Sequence, residues 1–343
     1  MKALLLKAPN TPFELVTVPD PTPGPGEAVA KVLACGSGLT IQHVKAGRSK
    51  ANFPIIIGHE ITGEIVAMGA GVHGLKVGDA VTSYFYLNCG YCRWCLAQLE
   101  PLCENLAGNI GRECDGGYAE YIKLPARNFI RFPEGIDYKT CPAEASVIMD
   151  ALATPFKVLK RARVQAGETV AVFGAGGGLG IHQLMMAKWA RARVIAVDTK
   201  ADKFDACRKA GADEVVDASR GNVVQQIMEL TNGRGVDVAI DYVSQTVTLE
   251  AAANALGKKG RMVTLGGSGK AFQVAASQLV KNEIDVLGSR YVSRAEVIDT
   301  LKLVARGEVW PLVTDIRPLE QAEALHERVE RGEVIGRAAL RIA

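Results

Sequence analysis

Four closely spaced cysteines carry the clearest chemistry in this sequence: Cys89, Cys92, Cys95 and Cys103. Two-residue gaps let neighbouring sulfurs turn toward one ion, and four thiolates suit tetrahedral zinc. A disulfide pair or a redox-active C-x-x-C motif is the alternative. Because four thiolates leave no coordination position open for a substrate, we predict one structural zinc per subunit, closing a lobe of about residues 88–104.

A glycine-rich turn is the second feature with chemical meaning. It lies between an apolar run, 169–173, and a helical pattern, and a further apolar run, 194–197, ends in Asp198. This order of strand, turn, helix, strand and acid is typical of a βαβ unit that binds a dinucleotide. The turn and the helix N-terminus would hold the pyrophosphate. Asp198 would accept hydrogen bonds from the ribose and repel a 2′-phosphate, so we predict NAD rather than NADP.

The turn departs from a strict G-x-G-x-x-G pattern, because Leu179 stands at its last position. The spacing fits G-x-x-G-x-x-G instead, at Gly174, Gly177 and Gly180. Since glycine-rich turns are common, the prediction depends on the two flanking strands and the acid. The residues predicted to bind the cofactor are Gly174, Gly176, Gly177, Gly178, Leu179, Gly180, Asp198 and Lys203.

Composition and patterning indicate a two-domain α/β protein. The chain has 343 residues, 48% of them hydrophobic, and a net charge of +3. We expect a cytoplasmic protein without a nucleic-acid or membrane partner. Short β-rich runs predict a mostly β domain formed by residues 1–150 and 290–343. Alternating strands and helices predict a Rossmann domain, a doubly wound parallel sheet, over 151–289.

Three motifs together resemble the zinc-containing alcohol dehydrogenase branch of the medium-chain dehydrogenase/reductase family. They are the segment Gly58-His59-Glu60-x-x-Gly63, the four-cysteine lobe, and the glycine turn with Asp198. The resemblance covers essentially the whole chain. It implies a GroES-like catalytic domain beside the Rossmann domain, a small-molecule substrate, and a homo-oligomer that is a tetramer or a dimer.

The resemblance also implies a catalytic metal site. His59 and Asp150 match two of its ligands, and Glu60 matches an acid that can approach the metal. The family pattern has a cysteine ligand and an aspartate at the positions of Gly38 and Ile41. One ligand and the carboxylate that would orient His59 are therefore missing, so we expect this second zinc to be absent or weakly bound.

Four further residues match functional positions of the family. Thr40 matches the hydroxyl that hydrogen-bonds the reacting oxygen, and His43 matches the end of the proton relay. Phe85 matches an aromatic residue of the substrate pocket, and Arg337 matches a cation near the cofactor pyrophosphate. These roles come from the resemblance and not from spacing alone.

The residues leave three functions open. The first is an NAD-dependent oxidoreductase that interconverts an alcohol and its aldehyde or ketone, with Thr40 and His43 handling the proton. The second is a zinc-independent ene-reductase of an α,β-unsaturated carbonyl, in which hydrogen-bond donors stabilise the developing charge. The third is a non-catalytic NAD-binding protein. Because Thr40, His43, His59, Glu60 and Asp150 are all present, we favour an enzyme, and the first reaction above the second.

Overall fold

The computed structural model describes residues 1–343, the whole of the sequence. In chain order its strands are β1 (Lys2–Leu6), β2 (Glu14–Thr17), β3 (Glu27–Ser37), β4 (Ile55–Ile56), β5 (Glu60–Met68), β6 (Ala80–Ser83), β7 (Tyr121–Pro125), β8 (Phe129–Arg131), β9 (Thr169–Phe173), β10 (Arg193–Asp198), β11 (Glu214–Asp217), β12 (Val236–Asp241), β13 (Leu256–Thr264), β14 (Asp285–Gly288), β15 (Val313–Pro318) and β16 (Arg337–Arg341).

The α-helices are α1 (Leu39–Lys45), α2 (Arg93–Leu96), α3 (Pro142–Val147), α4 (Ala153–Arg161), α5 (Gly180–Trp189), α6 (Phe204–Lys209), α7 (Val223–Leu230), α8 (Thr246–Asn254), α9 (Ala276–Asn282), α10 (Arg294–Ala305) and α11 (Ala322–Glu330). Short 3-10 turns occupy Glu100–Leu102, Ala126–Asn128, Ala201–Lys203 and Leu319–Gln321, and Ile148–Leu152 forms one π-helical turn. No helix combines the length and the apolar composition needed to cross a membrane.

The first of two structural units comprises Met1–Ala153 and Val292–Ala343. It contains a seven-stranded sheet in the order β15-β16-β3-β5-β6-β8, with β7 also paired to β3, and a three-stranded sheet, β2-β1-β4. The long strand β3 is the centre of the larger sheet, since it pairs antiparallel with β5, β7 and β16. This mostly β arrangement agrees with the catalytic domain that the resemblance implies.

The register of β3 brings distant parts of the chain to one end of this sheet. Gly36 lies opposite Glu60, the first residue of β5, and Ser37 lies opposite Ala338 of β16. A Cβ atom at Gly36 would lie 2.3 Å from Oε2 of Glu60, so this close approach requires a glycine. Helix α3 packs on β3, β5 and β16. The π-helical turn that follows α3 carries Asp150.

The second unit, Thr154–Tyr291, is a Rossmann domain. Its six strands pair in parallel in the order β11-β10-β9-β12-β13-β14. Every residue of β9 is buried, as expected for a central strand with helices on both faces. The strand order reverses between β9 and β12, which is where dinucleotides bind in such sheets. The predicted fold class is confirmed.

A buried chain of polar side chains crosses the first unit. The Tyr118 hydroxyl bonds with Ser37 and lies 2.8 Å from Nε2 of His326, whose Nδ1 lies 2.7 Å from Oε1 of Gln42. An amide oxygen only accepts, so Nδ1 of His326 carries the proton and Nε2 accepts from Tyr118. Burial, with a contribution from Lys45, lowers the pKa of His326 to about 3. The imidazole is therefore neutral in the folded protein.

This neutral histidine makes stability depend on pH. The unfolded chain takes up a proton on His326 below its ordinary pKa of 6.5, whereas the folded protein does not until about pH 3. The contribution of neutral His326 to the free energy of unfolding is therefore fully present above pH 6.5. It declines as the pH falls toward 3, by at most about 1.4 kcal/mol per pH unit.

We expect His326→Gln to remove this contribution to the loss of stability at acidic pH. The measurement is the urea concentration at the midpoint of unfolding, taken at several pH values between about 7 and about 4. His73→Gln, which changes an exposed histidine, is the matched control. Equal pH slopes for wild type and His326→Gln would contradict the prediction.

Candidate active site and metal centre

A buried ion pair joins the ends of β5 and β16. The guanidinium of Arg337 donates from Nε to Oε2 of Glu60 and from Nη2 to Oε1, both at 2.9 Å. Arg337 is 5% exposed and Glu60 is 0% exposed. Oε1 of Glu60 also accepts the Ala151 N–H at 3.0 Å. Burial raises the pKa of Glu60, and the guanidinium opposes that shift. The bidentate geometry holds Glu60 in one orientation.

Asp150 extends this cluster toward His59. Its Oδ2 lies 3.5 Å from Nη2 of Arg337 and 3.4 Å from Nε2 of His59. It stands on the π-helical turn, a feature that often occurs at functional sites. Two ligands of one tetrahedral zinc would lie about 3.4 Å apart, so the His59–Asp150 pair retains a spacing that suits a metal.

A cation lies beside Gly38, where the family pattern has a cysteine ligand. A Cβ atom built on Gly38 would lie 2.2 Å from Nη1 of Arg337 and 2.3 Å from its Cζ. The guanidinium thus occupies the volume in which a cysteine ligand at position 38 would begin. One imidazole and one carboxylate remain, with the Glu60 carboxylate engaged by Arg337. These residues do not fit the tightly held catalytic zinc that the resemblance implies.

Helix α1 places two further predicted residues one turn apart. Thr40 and His43 are spaced i, i+3 and share one face of the helix. Both are half-buried. Burial, aided by the positive charge of Arg48, lowers the pKa of His43 below its ordinary value. The neutral imidazole can accept a proton near neutral pH.

Phe85 lies against His59. Their ring centroids are 4.5 Å apart, and both side chains are buried. The structure therefore brings together His59, Asp150, Glu60, Phe85 and Arg337. Sequence reasoning missed the contacts of Arg337 with the two carboxylates, because no local spacing connects these positions.

The four cysteines form a separate centre. The Sγ–Sγ distances are 3.5 Å for Cys92–Cys95, 3.9 Å for Cys89–Cys95 and 4.0 Å for Cys92–Cys103. A zinc with four sulfurs at about 2.3 Å requires Sγ–Sγ distances of about 3.8 Å. The backbone N–H of Cys92 donates to Sγ of Cys89, and the backbone N–H of Cys89 donates to Sγ of Cys103, both at 3.3 Å. The centre fits one tetrahedral zinc.

The glycine turn differs in detail from its predicted pattern. Gly174 has φ +74°, and a Cβ at Gly180 would lie 2.1 Å from the Gly174 carbonyl oxygen. A Cβ at Gly176 would lie 2.6 Å from the Lys203 side chain, whereas one at Gly177 would lie 3.3 Å from the Gly174 oxygen. Gly176, rather than Gly177, is thus the central required glycine, because the Lys203 chain packs over it.

Asp198 is oriented by this turn. Its Oδ2 accepts the Gly176 N–H at 2.8 Å, and Oδ1 accepts the Lys200 N–H at 3.1 Å. Burial lowers the pKa of Lys203. The half-buried Asp198 carboxylate stands at the end of β10, the position expected for a ribose contact.

Comparison with known proteins identifies the family. Residues 24–134 match the alcohol dehydrogenase GroES-like domain, and residues 178–306 match the zinc-binding dehydrogenase family. The chain is 32% identical to an alcohol dehydrogenase of Geobacillus stearothermophilus over 345 residues, covering 100% of both. The chain belongs to the zinc-type alcohol dehydrogenase family.

Two other relatives bear on the reaction. A solved NAD-dependent alcohol dehydrogenase superimposes with a TM-score of 0.92 and 28% identity over 100% of both chains. An acryloyl-coenzyme A reductase of Metallosphaera sedula is 30% identical over 99% of both chains. The family predicted from the sequence is confirmed.

For the four-cysteine lobe of this protein, we expect Cys95→Ser to lower both the zinc content and the thermal stability. Loss of one thiolate weakens a centre that closes the lobe, so the melting temperature should fall by roughly 5–10 °C. Metal analysis and calorimetry measure the two effects. Cys141→Ser, outside the lobe, is the control. A wild-type lobe without zinc, or unchanged stability of Cys95→Ser, would refute a structural zinc.

For the cofactor site, Asp198→Asn should narrow the preference for NAD over NADP by about tenfold, because the amide removes the charge that repels a 2′-phosphate. The variant keeps an oxygen that can accept the Gly176 N–H. Fluorescence titration with both cofactors measures the preference, and Asp202→Asn, an exposed neighbour, is the control. Tighter binding of NADPH by the wild type would contradict the assignment.

Proposed function

We propose that this protein is an NAD-dependent alcohol dehydrogenase that interconverts an alcohol with its aldehyde or ketone. The enzyme class predicted from the sequence is confirmed by its family membership. The observation that carries the mechanism is the placement of Thr40 and His43 on one face of α1, directly after Gly38. NAD, when bound, supplies the hydride acceptor of the oxidation.

The side chains of the first unit handle the proton and the pocket. During oxidation the Thr40 hydroxyl accepts a hydrogen bond from the substrate hydroxyl, and neutral His43 takes up the released proton. In the reverse direction His43 and Thr40 return it to the carbonyl oxygen. Phe85 supplies an apolar wall beside His59. No step depends on a catalytic metal.

A second reaction is supported by a specific observation. Beside His59 and Asp150, position 38 is a glycine and offers no third side-chain ligand for a metal. One relative, at 30% identity, is an acryloyl-coenzyme A reductase. Hydride addition to an activated C=C bond places charge on a conjugated carbonyl oxygen, which hydrogen-bond donors can stabilise without a metal. The ene-reductase therefore remains the second candidate.

A substrate panel separates the candidates. Secondary alcohols with NAD, and enals and unsaturated thioesters with NADH, are assayed by NADH absorbance. Turnover of alcohols or ketones supports the dehydrogenase, and product analysis showing a saturated carbonyl supports the ene-reductase. Binding of NAD without turnover of any substrate would favour a non-catalytic protein.

We expect Thr40→Ala to lower kcat by at least about a hundredfold, because the hydroxyl links the reacting oxygen to His43. Thr40→Ser, which keeps the hydroxyl, should retain most of the turnover. Steady-state kinetics give kcat, and NAD titration checks that cofactor binding is unchanged. Full activity of Thr40→Ala would remove Thr40 from the mechanism.

Several sequence-based predictions complete the proposal. The catalytic domain would comprise 1–150 and 290–343, and the cofactor domain 151–289. From the family resemblance, Arg337 would also lie near the cofactor pyrophosphate. A cytoplasmic location is expected from the composition, and a homo-oligomer, either a tetramer or a dimer, is expected from the family resemblance. Edge strand β14, with Val286 42% exposed, offers a surface for pairing two copies. A monomer in light scattering would refute that assembly.

A further inference from the structure

The guanidinium of Arg337 places a positive charge in the site at the end of β3. Arg337 is almost completely buried, and its guanidinium faces two carboxylates, Glu60 and Asp150. Buried carboxylates need a positive partner, which in a metal site is the ion. In this chain a side chain supplies that positive charge.

Gly38 makes this arrangement sterically feasible. Any side chain at position 38 would begin 2.2 Å from Nη1 of Arg337, well inside van der Waals contact. The guanidinium cannot easily give way, because Glu60 holds it by two hydrogen bonds of 2.9 Å. A cysteine ligand and the observed position of Arg337 therefore exclude one another.

The guanidinium also competes with a metal electrostatically. A metal bound by His59 and Asp150 would share Oδ2 of Asp150 with Nη2 of Arg337, which lies 3.5 Å away. Two positive centres this close repel one another, and their repulsion is strong in a buried site. The fixed charge of Arg337 thus weakens the affinity of the remaining ligands for a divalent cation.

We propose that Arg337 is the permanent cation of this site: it occupies the space opened by Gly38, neutralises and orients Glu60 and Asp150, and excludes a tightly bound second metal. Arg337 acts as a positioning residue. Gly38 and Arg337 act together, because the guanidinium lies in the space that a side chain at position 38 would occupy. The inference does not depend on which substrate the enzyme reduces or oxidises.

The test counts zinc in four forms of the full-length protein: wild type, Gly38→Cys, Arg337→Gln, and the double variant Gly38→Cys/Arg337→Gln. Each is dialysed against dilute zinc and analysed by mass spectrometry for metal per chain. We expect about one zinc for wild type and for Gly38→Cys, and close to two for the double variant, because only the double variant has three ligands and no competing guanidinium. Arg337→Gln alone should bind added zinc more tightly than wild type does.

Gly38→Ala is the matched control, since its methyl group disturbs the guanidinium without adding a ligand. We expect both Gly38→Ala and Gly38→Cys to lower the melting temperature, and we expect Gly38→Ala to leave the zinc count unchanged. Two tightly bound zincs in wild type or in Gly38→Cys would overturn the proposal, as would a count of about one in a folded double variant. If the double variant does not fold, the Gly38→Cys count and the zinc affinity of Arg337→Gln decide. These readouts need no turnover, so an inactive enzyme would refute the proposed function and leave this test intact.

Discussion

Burial of two carboxylates beside one guanidinium is the constraint around which the first unit is arranged. Glu60 and Asp150 are stable inside the protein only while a positive charge faces them. Arg337 supplies it, and the sheet register and the π-helical turn bring the three groups together. Gly36 and Gly38 lack side chains at the two positions where a Cβ would collide with this cluster.

The two predicted metal positions differ in how well their residues suit a metal ion. The four-cysteine lobe is complete, and its sulfur spacing suits tetrahedral zinc. The other position keeps His59 and Asp150 at a metal-like spacing, but the guanidinium of Arg337 lies where a side chain at position 38 would begin. A thiolate attracts a divalent ion and a guanidinium repels it, so the charge beside Gly38 is opposite in sign to that of a cysteine ligand.

The charge at this site affects what it can do chemically. A divalent metal would polarise a carbonyl oxygen directly as a Lewis acid. In the proposed mechanism without a catalytic metal, the groups that handle the proton are the Thr40 hydroxyl and the His43 imidazole, which share one face of α1. Such a site suits hydride transfer to a carbonyl, and it equally suits reduction of a C=C bond conjugated to one. The relatives include proteins named for both reactions.

The sequence by itself determined the features that are local along the chain. The spacing of Cys89, Cys92, Cys95 and Cys103 specifies the zinc lobe, and the βαβ pattern ending in Asp198 specifies the cofactor unit, because each is built from consecutive elements. Even there, the choice of Gly176 over Gly177 needed the packing of Lys203. The meeting of Arg337 with the space above Gly38 was decided by tertiary structure alone. These positions lie near opposite ends of the chain, and only the pairing of β16 with β3 and β3 with β5 places the guanidinium between Gly38, Glu60 and Asp150.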